Sequence, residues 1–249
     1  MKNILLVLFL AITASISAQF TQGEILYESK LNVHKNLPQE MEAMKDRIPE
    51  FRTSKHVLLF NQNASMYSNK PREQREESNE FRRRRRRGNQ ENDKVFHSIS
   101  SGEMVESKDF FGKKFLIKGE KKNYKWQFTG KSKQVGDYLC QQAVHKDTTS
   151  TIEVWFTPMI PIAAGPEDFS GLPGLILHVD IDDGTRVISA ANIMNKELAE
   201  NSIVIPTEGK EITREEFKTL SEEKRAEMKE MNGGDRGSRR FGNRRRGGE

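Results

Sequence analysis

Apolar and polar positions alternate through residues 23–34, with Ile25, Tyr27, Leu31 and Val33 on one side and Glu24, Glu28, Lys30 and Asn32 on the other. This is the period of a half-buried strand. The period changes over residues 38–51, where Met41, Met44 and Ile48 recur at spacings of three and four before Pro49. That spacing predicts a short amphipathic helix. Short extended runs follow at residues 55–60, 65–67, 95–99, 115–117, 124–128, 138–144 and 151–156, punctuated by Gly119, Gly130 and Gly136. In residues 175–181, Leu175, Leu177, Val179 and Ile181 share one face, and Asp182-Asp183-Gly184 turns the chain into a partner strand at 185–193. Thr213-Arg214-Glu215-Glu216 has the form of a capping box, and Phe217, Leu220, Met228 and Met231 follow at near-helical spacing. A helix is expected from Arg214 to Met231, ending at Asn232-Gly233-Gly234. Together these elements predict a mainly β fold: a single antiparallel meander sheet or open half-barrel, with a short N-terminal helix and one C-terminal helix.

The first 18 residues break this pattern. A charged start at Lys2, an apolar stretch over residues 4–12 and small residues up to Ala18 form the three parts of a secretory signal peptide. The apolar stretch is about half the roughly 20 residues needed to span a bilayer, so cleavage after Ala18 and export to the periplasm or the medium are expected. No later stretch is long and apolar enough to be a transmembrane segment. Cys140 is the single cysteine, which leaves no intramolecular disulfide to form, and its place in an alternating run marks it as a buried, inert thiol.

Charge then divides the chain. Between Lys70 and Lys94 stand ten Lys/Arg and six Asp/Glu, and between Asn232 and Glu249 six Arg and two acids, a net +4 in each. The formal charge of the whole chain is +5, and Lys2 would leave with the signal, so the rest of the mature protein carries −4. Almost nothing apolar lies in either segment. Residues 69–93 are therefore expected to be a disordered insertion, and residues 232–249 a disordered Arg/Gly-rich tail, on a β-rich domain spanning 19–231.

The most distinctive stretch runs from Trp155-Phe156-Thr157-Pro158 through Ile160-Pro161-Ile162 and Gly165-Pro166-Glu167-Asp168-Phe169-Ser170 to Gly171-Leu172-Pro173-Gly174-Leu175-Ile176. Its prolines fix φ and remove backbone donors, so it is neither helix nor central strand but an ordered loop, either a plug over the core or a preformed binding ledge. The ledge residues are Gly165, Pro166, Phe169, Gly171, Leu172, Pro173 and Gly174. The stretch closely resembles the signature of the GLPGLI family of exported Bacteroidetes-type proteins, as do Gly23-Glu24-Ile25-Leu26-Tyr27-Glu28 and Tyr138-Leu139-Cys140-Gln141-Gln142-Ala143. The resemblance spans most of residues 20–218. It implies a secreted or periplasmic accessory protein, and makes an outer-membrane transport component a candidate partner. It carries no activity over to any residue.

Candidate chemistry is sparse. No P-loop, Gly-x-Ser-x-Gly, His-Glu-x-x-His or Cys-x-x-Cys pattern occurs, so no catalysis and no cofactor are expected. His178 and Asp180 share a strand face and are weak metal candidates, with Asp182 or His145 as further ligands. A solvated polar face accounts for them more simply. Glu167 and Asp168 could pose as a hydrolytic carboxylate pair, but adjacent side chains on extended backbone point apart. Tyr124, Trp126 and Phe128 could form an aromatic ligand surface, with core packing the preferred reading. The remaining candidates are the arginines: Arg82, Arg83, Arg84, Arg85, Arg86 and Arg87 in the insertion, and Arg239, Arg240, Arg244, Arg245 and Arg246 in the tail. Clustered arginines bind polyanions by releasing counterions. In an exported protein those polyanions are anionic envelope material rather than cytoplasmic nucleic acid. The leading expectation is an exported envelope binding or accessory protein; the alternative is an envelope hydrolase or metal-binding protein using the Gly165 to Asp182 region.

Overall fold

Among the described residues, twelve strands form one sheet made of two antiparallel meanders joined side by side. The first contains β1 (Gly23–Asn32), β2 (Phe51–Phe60), β3 (Ala64–Asn69), β4 (Lys94–Ser98), β5 (Glu103–Phe110) and β6 (Lys113–Glu120). The second contains β7 (Gln127–Val135), β8 (Tyr138–Lys146), β9 (Thr151–Thr157), β10 (Leu175–Ile181) and β11 (Arg186–Asn195). Strands β1 and β11 pair antiparallel and make the seam. A short β12 (Lys210–Ile212) adds to the free edge of β6, and α1 (Arg214–Ser238) follows it. The computed structural model describes residues 20–70 and 93–238. The expected signal peptide, nearly all of the insertion and the tail beyond Ser238 lie outside the described residues.

The core follows from strand register. Ile25 faces Leu58, Val179 faces both Ile188 and Val154, and Val154 faces Ala143. Paired residues share a face, so these positions build one apolar surface across the seam, and all of them are buried. Residues 158–174 lie over this surface and add Ile160, Ile162, Ala164, Phe169 and Leu172 to the same cluster. Val95 packs against the main cluster, so its neighbour Phe96 points to the opposite face. There Phe96, Val105 and Leu116 form a second, small cluster with Ala64 and Ile203.

Several expectations need correction. The sheet is mixed, because β12 runs parallel to β6, and it is not closed: β12 and β7 are its edges. The short N-terminal α-helix is not formed. Residues Gln39–Arg47 instead make a 3₁₀ helix with Met41 and Met44 exposed. With both methionines exposed among the described residues, the apolar stripe gains too little from packing to stabilise so short an α-helix. Residues 121–126 are not a strand, and β7 begins only at Gln127. Strand β5, whose Glu106 and Lys108 interrupt its apolar side, was not apparent from patterning. Helix α1 starts at the expected cap, with the Thr213 amide donating to Glu216 Oε2 at 2.9 Å and the Glu216 amide to Thr213 Oγ1 at 3.2 Å. It continues past Asn232-Gly233-Gly234 to Ser238. Glycine costs about 1 kcal/mol in a helix, which does not by itself end one already propagating.

Candidate functional site

The loop over residues 158–174 sits against the sheet at distances only glycine permits. A Cβ on Gly165 would lie 2.7 Å from the Phe169 carbonyl oxygen and 2.9 Å from Ile176 Cβ, and one on Gly174 would lie 2.2 Å from the Thr157 carbonyl oxygen. Two backbone bonds complete the docking: the Leu175 amide donates to Ile160 O at 3.1 Å and the Ile176 amide to Ala164 O at 3.0 Å. Of the ledge residues, Gly165, Pro166, Phe169, Leu172 and Gly174 are buried, while Gly171 and Pro173 face solvent. The loop thus presents a narrow turn outward and turns most of its apolar side chains into the core.

Polar staples hold its edges. Glu167, in a left-handed conformation at φ 55°, makes a two-pronged ion pair with Arg186 of β11; Nη1 donates to Oε2 at 3.0 Å and Nη2 to Oε1. Asp168 points elsewhere, accepting from the Tyr124 hydroxyl at 3.2 Å and lying 4.0 Å from Arg214 Nη1. Trp126 Nε1 donates to Ser170 O at 2.9 Å, and the buried Tyr27 hydroxyl donates to Ile176 O at 2.5 Å. Arg214, the first residue of α1, also reaches Glu106 of β5 at 2.5 Å. The Glu106 side chain is only 5% exposed and is met from the other side by Lys108 Nζ at 2.7 Å. One loop is therefore tied to β11, to the segment before β7 and, through Arg214, to α1 and β5.

Beside the Glu167–Arg186 pair lie Tyr67 and His56. Their rings stack 5.0 Å apart, and His56 Nε2 is 2.8 Å from Ser54 Oγ. Burial first, and then the Arg186 charge, push the His56 pKa down to about 4, so the ring is neutral at pH 7. Burial and the Glu167 charge raise that of Tyr67, whose hydroxyl is buried and has no hydrogen-bond partner among the described residues.

The other candidates are spoken for. His178 Nδ1 lies 2.6 Å from Ser189 Oγ, and burial followed by the Lys133 charge lowers its pKa. Asp180 accepts from the Gly184 amide at 2.6 Å, and Asp182 from the Thr151 amide at 2.8 Å. Among the described residues no three His, Cys, Asp or Glu side chains converge as a metal site would require. Tyr124 and Trp126 stack on each other at 4.9 Å, and Tyr124 packs on Phe169. Burial raises the Cys140 thiol to about 11, which makes it a poor nucleophile. The eleven arginines named above lie outside the described residues. What sequence reasoning missed is the partners: Arg186, Arg214, Glu106 and the Tyr27 hydroxyl. Only Glu106 carried a signal, since it shares strand parity with Met104 and so points inward.

Comparisons with known proteins bear on the fold and on this loop. A family described as "Protein of unknown function (Porph_ging)" matches residues 144–178, from the end of β8 through the loop into β10. No curated protein matches the chain. A structure of PNGF-II in a C2 crystal form matches with a TM-score of 0.55 at 14% identity, and covers 80% of this chain. A second, in a P21 form, gives 0.52 at 14% identity and covers 77%. The matched region is 32% of the PNGF-II chain in both, so this chain spans about a third of that protein's length. No helix among the described residues is long and apolar enough to cross a membrane. The chain thus resembles part of PNGF-II in fold and, over its plugged β9–β10 connection, a family of unknown function.

Proposed function

We propose that this is an exported binding or accessory protein in which a plugged β-sheet carries basic segments to anionic envelope material. The carrying observation is the segregation of charge: two segments at +4 each on a body at −4, one between β3 and β4 and the other from the last turns of α1 to residue 249. A body whose own charge opposes polyanions leaves their capture to the appended arginines. Further support comes from how the body's polar groups are used. Glu167, Asp168, His178 and Asp180, on which a hydrolase or metal-binding reading would rest, are each engaged in contacts that hold the loop, the β10–β11 pair or its turn. The exposed turn at Gly171 and Pro173 is the part of the ledge left for a protein partner such as an outer-membrane transport component.

The test is binding of the mature chain to purified lipopolysaccharide and to heparin across a salt series. The comparison is a variant in which residues 82–87 and Arg239, Arg240, Arg244, Arg245 and Arg246 are changed to Ser. Binding that weakens steeply with salt and is lost in the variant is the expected result. Equal binding by the two proteins would refute it.

A further inference from the structure

Polar side chains gather at one margin of the face that the main cluster occupies. Ser29 of β1 and Ser54 of β2 are direct cross-strand partners, and by strand parity they share that face with Ile25, Tyr27 and Leu58. His56, the next residue on the same side of β2, stacks on Tyr67 of β3 with ring centroids 5.0 Å apart, and its Nε2 lies 2.8 Å from Ser54 Oγ. From the other side Arg186 of β11 donates through Nε to Ser29 Oγ at 3.4 Å and through both Nη atoms to the Glu167 carboxylate. Four strands and the 158–174 loop thus bring hydroxyls, an imidazole, a guanidinium and a carboxylate together. Apolar side chains would fill this margin more favourably, because a buried polar group costs free energy unless it is fully bonded.

One of these groups is not bonded. Tyr67 is 5% exposed, and its hydroxyl is buried with no hydrogen-bond partner among the described residues. Burial first and then the Glu167 charge raise its pKa, and the Arg186 charge opposes them, so the hydroxyl stands in the field of both ionic groups. More than about nine-tenths of buried polar groups in folded proteins are bonded, and an exception points to a function or to a group that completes it. Burial is graded outward from this point. Ser54 is exposed, His56 is half-buried, and the Glu167 and Arg186 side chains are 27% and 31% exposed. The unmet hydroxyl is the buried end of a polar row that reaches solvent.

We infer that this row is a binding site for the hydroxyl groups of a neutral saccharide, with Tyr67, Glu167 and Arg186 as its contacts. The phenol donates and accepts, the guanidinium only donates, and the carboxylate only accepts. Neighbouring hydroxyls of a sugar donate and accept together, so one ligand meets all three. An anion would stand against Glu167, and a cation against Arg186. The two ionic groups already pair with each other, which leaves a charged ligand without a counter-charge as it is buried. Arg52 is exposed on the same side of β2, which makes inorganic phosphate the competing probe. The site lies wholly in the folded body, and it stands or falls separately from polyanion capture by the arginines.

The test uses the full mature chain and saturation-transfer NMR with D-glucose, D-galactose, D-mannose and N-acetyl-D-glucosamine. Transfer to at least one of these sugars is expected, and transfer to none overturns the inference. Tyr67→Phe keeps the ring that stacks on His56 and removes only the unmet hydroxyl. Without sugar it should melt about 2–4 °C higher than the parent, while its sugar affinity falls about tenfold and its heparin binding is unchanged. Tyr124→Phe is the contrast, because that hydroxyl already donates to Asp168: it should melt lower and bind sugar as the parent does. Sugar binding by Tyr67→Phe equal to the parent's overturns the site. A lower melting temperature for Tyr67→Phe also overturns it, by showing that the hydroxyl is already bonded within the protein. Equal loss of sugar binding in both variants would place the effect in the loop as a whole and overturn the assigned contacts. Displacement of the sugar by inorganic phosphate would overturn the neutral ligand in favour of an anionic one.

Discussion

The two faces of the sheet are held by different means. On one, the main cluster runs from β1 and β2 across β8 to β11 and is sealed by the 158–174 loop, whose apolar side chains and glycine backbone fit the strands directly. On the other, toward β4 to β6, three buried residues and Ile203 make the whole cluster, with Ala64 at its margin. The β6–β12 edge there is held largely by charge, Lys114 to Glu208 and Lys118 to Glu211, while Arg214 of α1 meets Glu106 on the main-cluster side. Apolar burial stabilises in proportion to area, whereas exposed ion pairs contribute about 0–1 kcal/mol each. The plugged region should therefore unfold only with the whole sheet, and the β6–β12–α1 edge should open first.

The largest effect is expected where the plug meets β9. Gly174→Ala would drive its Cβ into the Thr157 carbonyl, and neither backbone can yield without undocking the loop. A loss of at least about 3 kcal/mol is expected, read as a lower urea midpoint for the whole protein. Gly112→Ala is the contrast, because open space surrounds that position and only the positive φ is strained, at a cost of about 1 kcal/mol. Similar losses at the two sites would end the distinction between a plugged face and an open edge.

Next is the link between the two regions. Arg214→Ala leaves Glu106 buried with Lys108 as its remaining cation and takes a charge away from Asp168. A cost of about 1–2 kcal/mol is expected, because the buried carboxylate is left with one cation where it had two, and its poorer compensation, rather than the lost bond, sets the penalty. Glu106→Gln keeps the shape and should cost less, since the cations it releases reach water. The reverse order in chemical denaturation would show that Arg214 acts by something other than neutralising Glu106.

How much of this was legible depended on range. Strand β1 as far as Lys30, the β10–β11 hairpin and the capping box at Thr213 are local patterns that stand where alternation or spacing put them, although β1 ends at Asn32 and buries that residue in place of Leu31. The loop was recognisable from its prolines and glycines, because those residues restrict backbone wherever they occur. Long-range partners were not. Nothing near Glu167 announces Arg186, and nothing near Asp168 announces Tyr124, since those contacts are made only when β11 and the segment before β7 come to the loop. The Met41–Met44 spacing misled for the complementary reason: it promised a packed face that no other element among the described residues supplies.

His56 gives a smaller effect, tied to the plug's polar edge. Its folded pKa, about 4, lies below the ordinary 6.5, so between those values the unfolded chain binds the proton more readily than the native one. The contribution is complete above about pH 6.5 and is lost as the pH falls toward 4. Allowing for the part of the ring in water, it amounts to about 1 kcal/mol. His56→Gln should flatten the stability profile over that window relative to the parent. A parallel displacement of the two profiles would mean that His56 does not titrate as the burial beside Arg186 requires.

The smallest effect tests whether the α1 edge is a separate unit. Thr213→Ala removes the hydroxyl that receives the Glu216 amide, a change worth about 1 kcal/mol to the helix itself. If α1 is held at its first turn mainly by Phe217 and Arg214, that loss should raise amide exchange within α1 while leaving exchange in β8 to β10 unchanged. Exchange that rises in both places would show that the helix end and the plugged core open together. The aromatic backing that Phe217 gives to Phe110 would then be as firmly fixed as the plug.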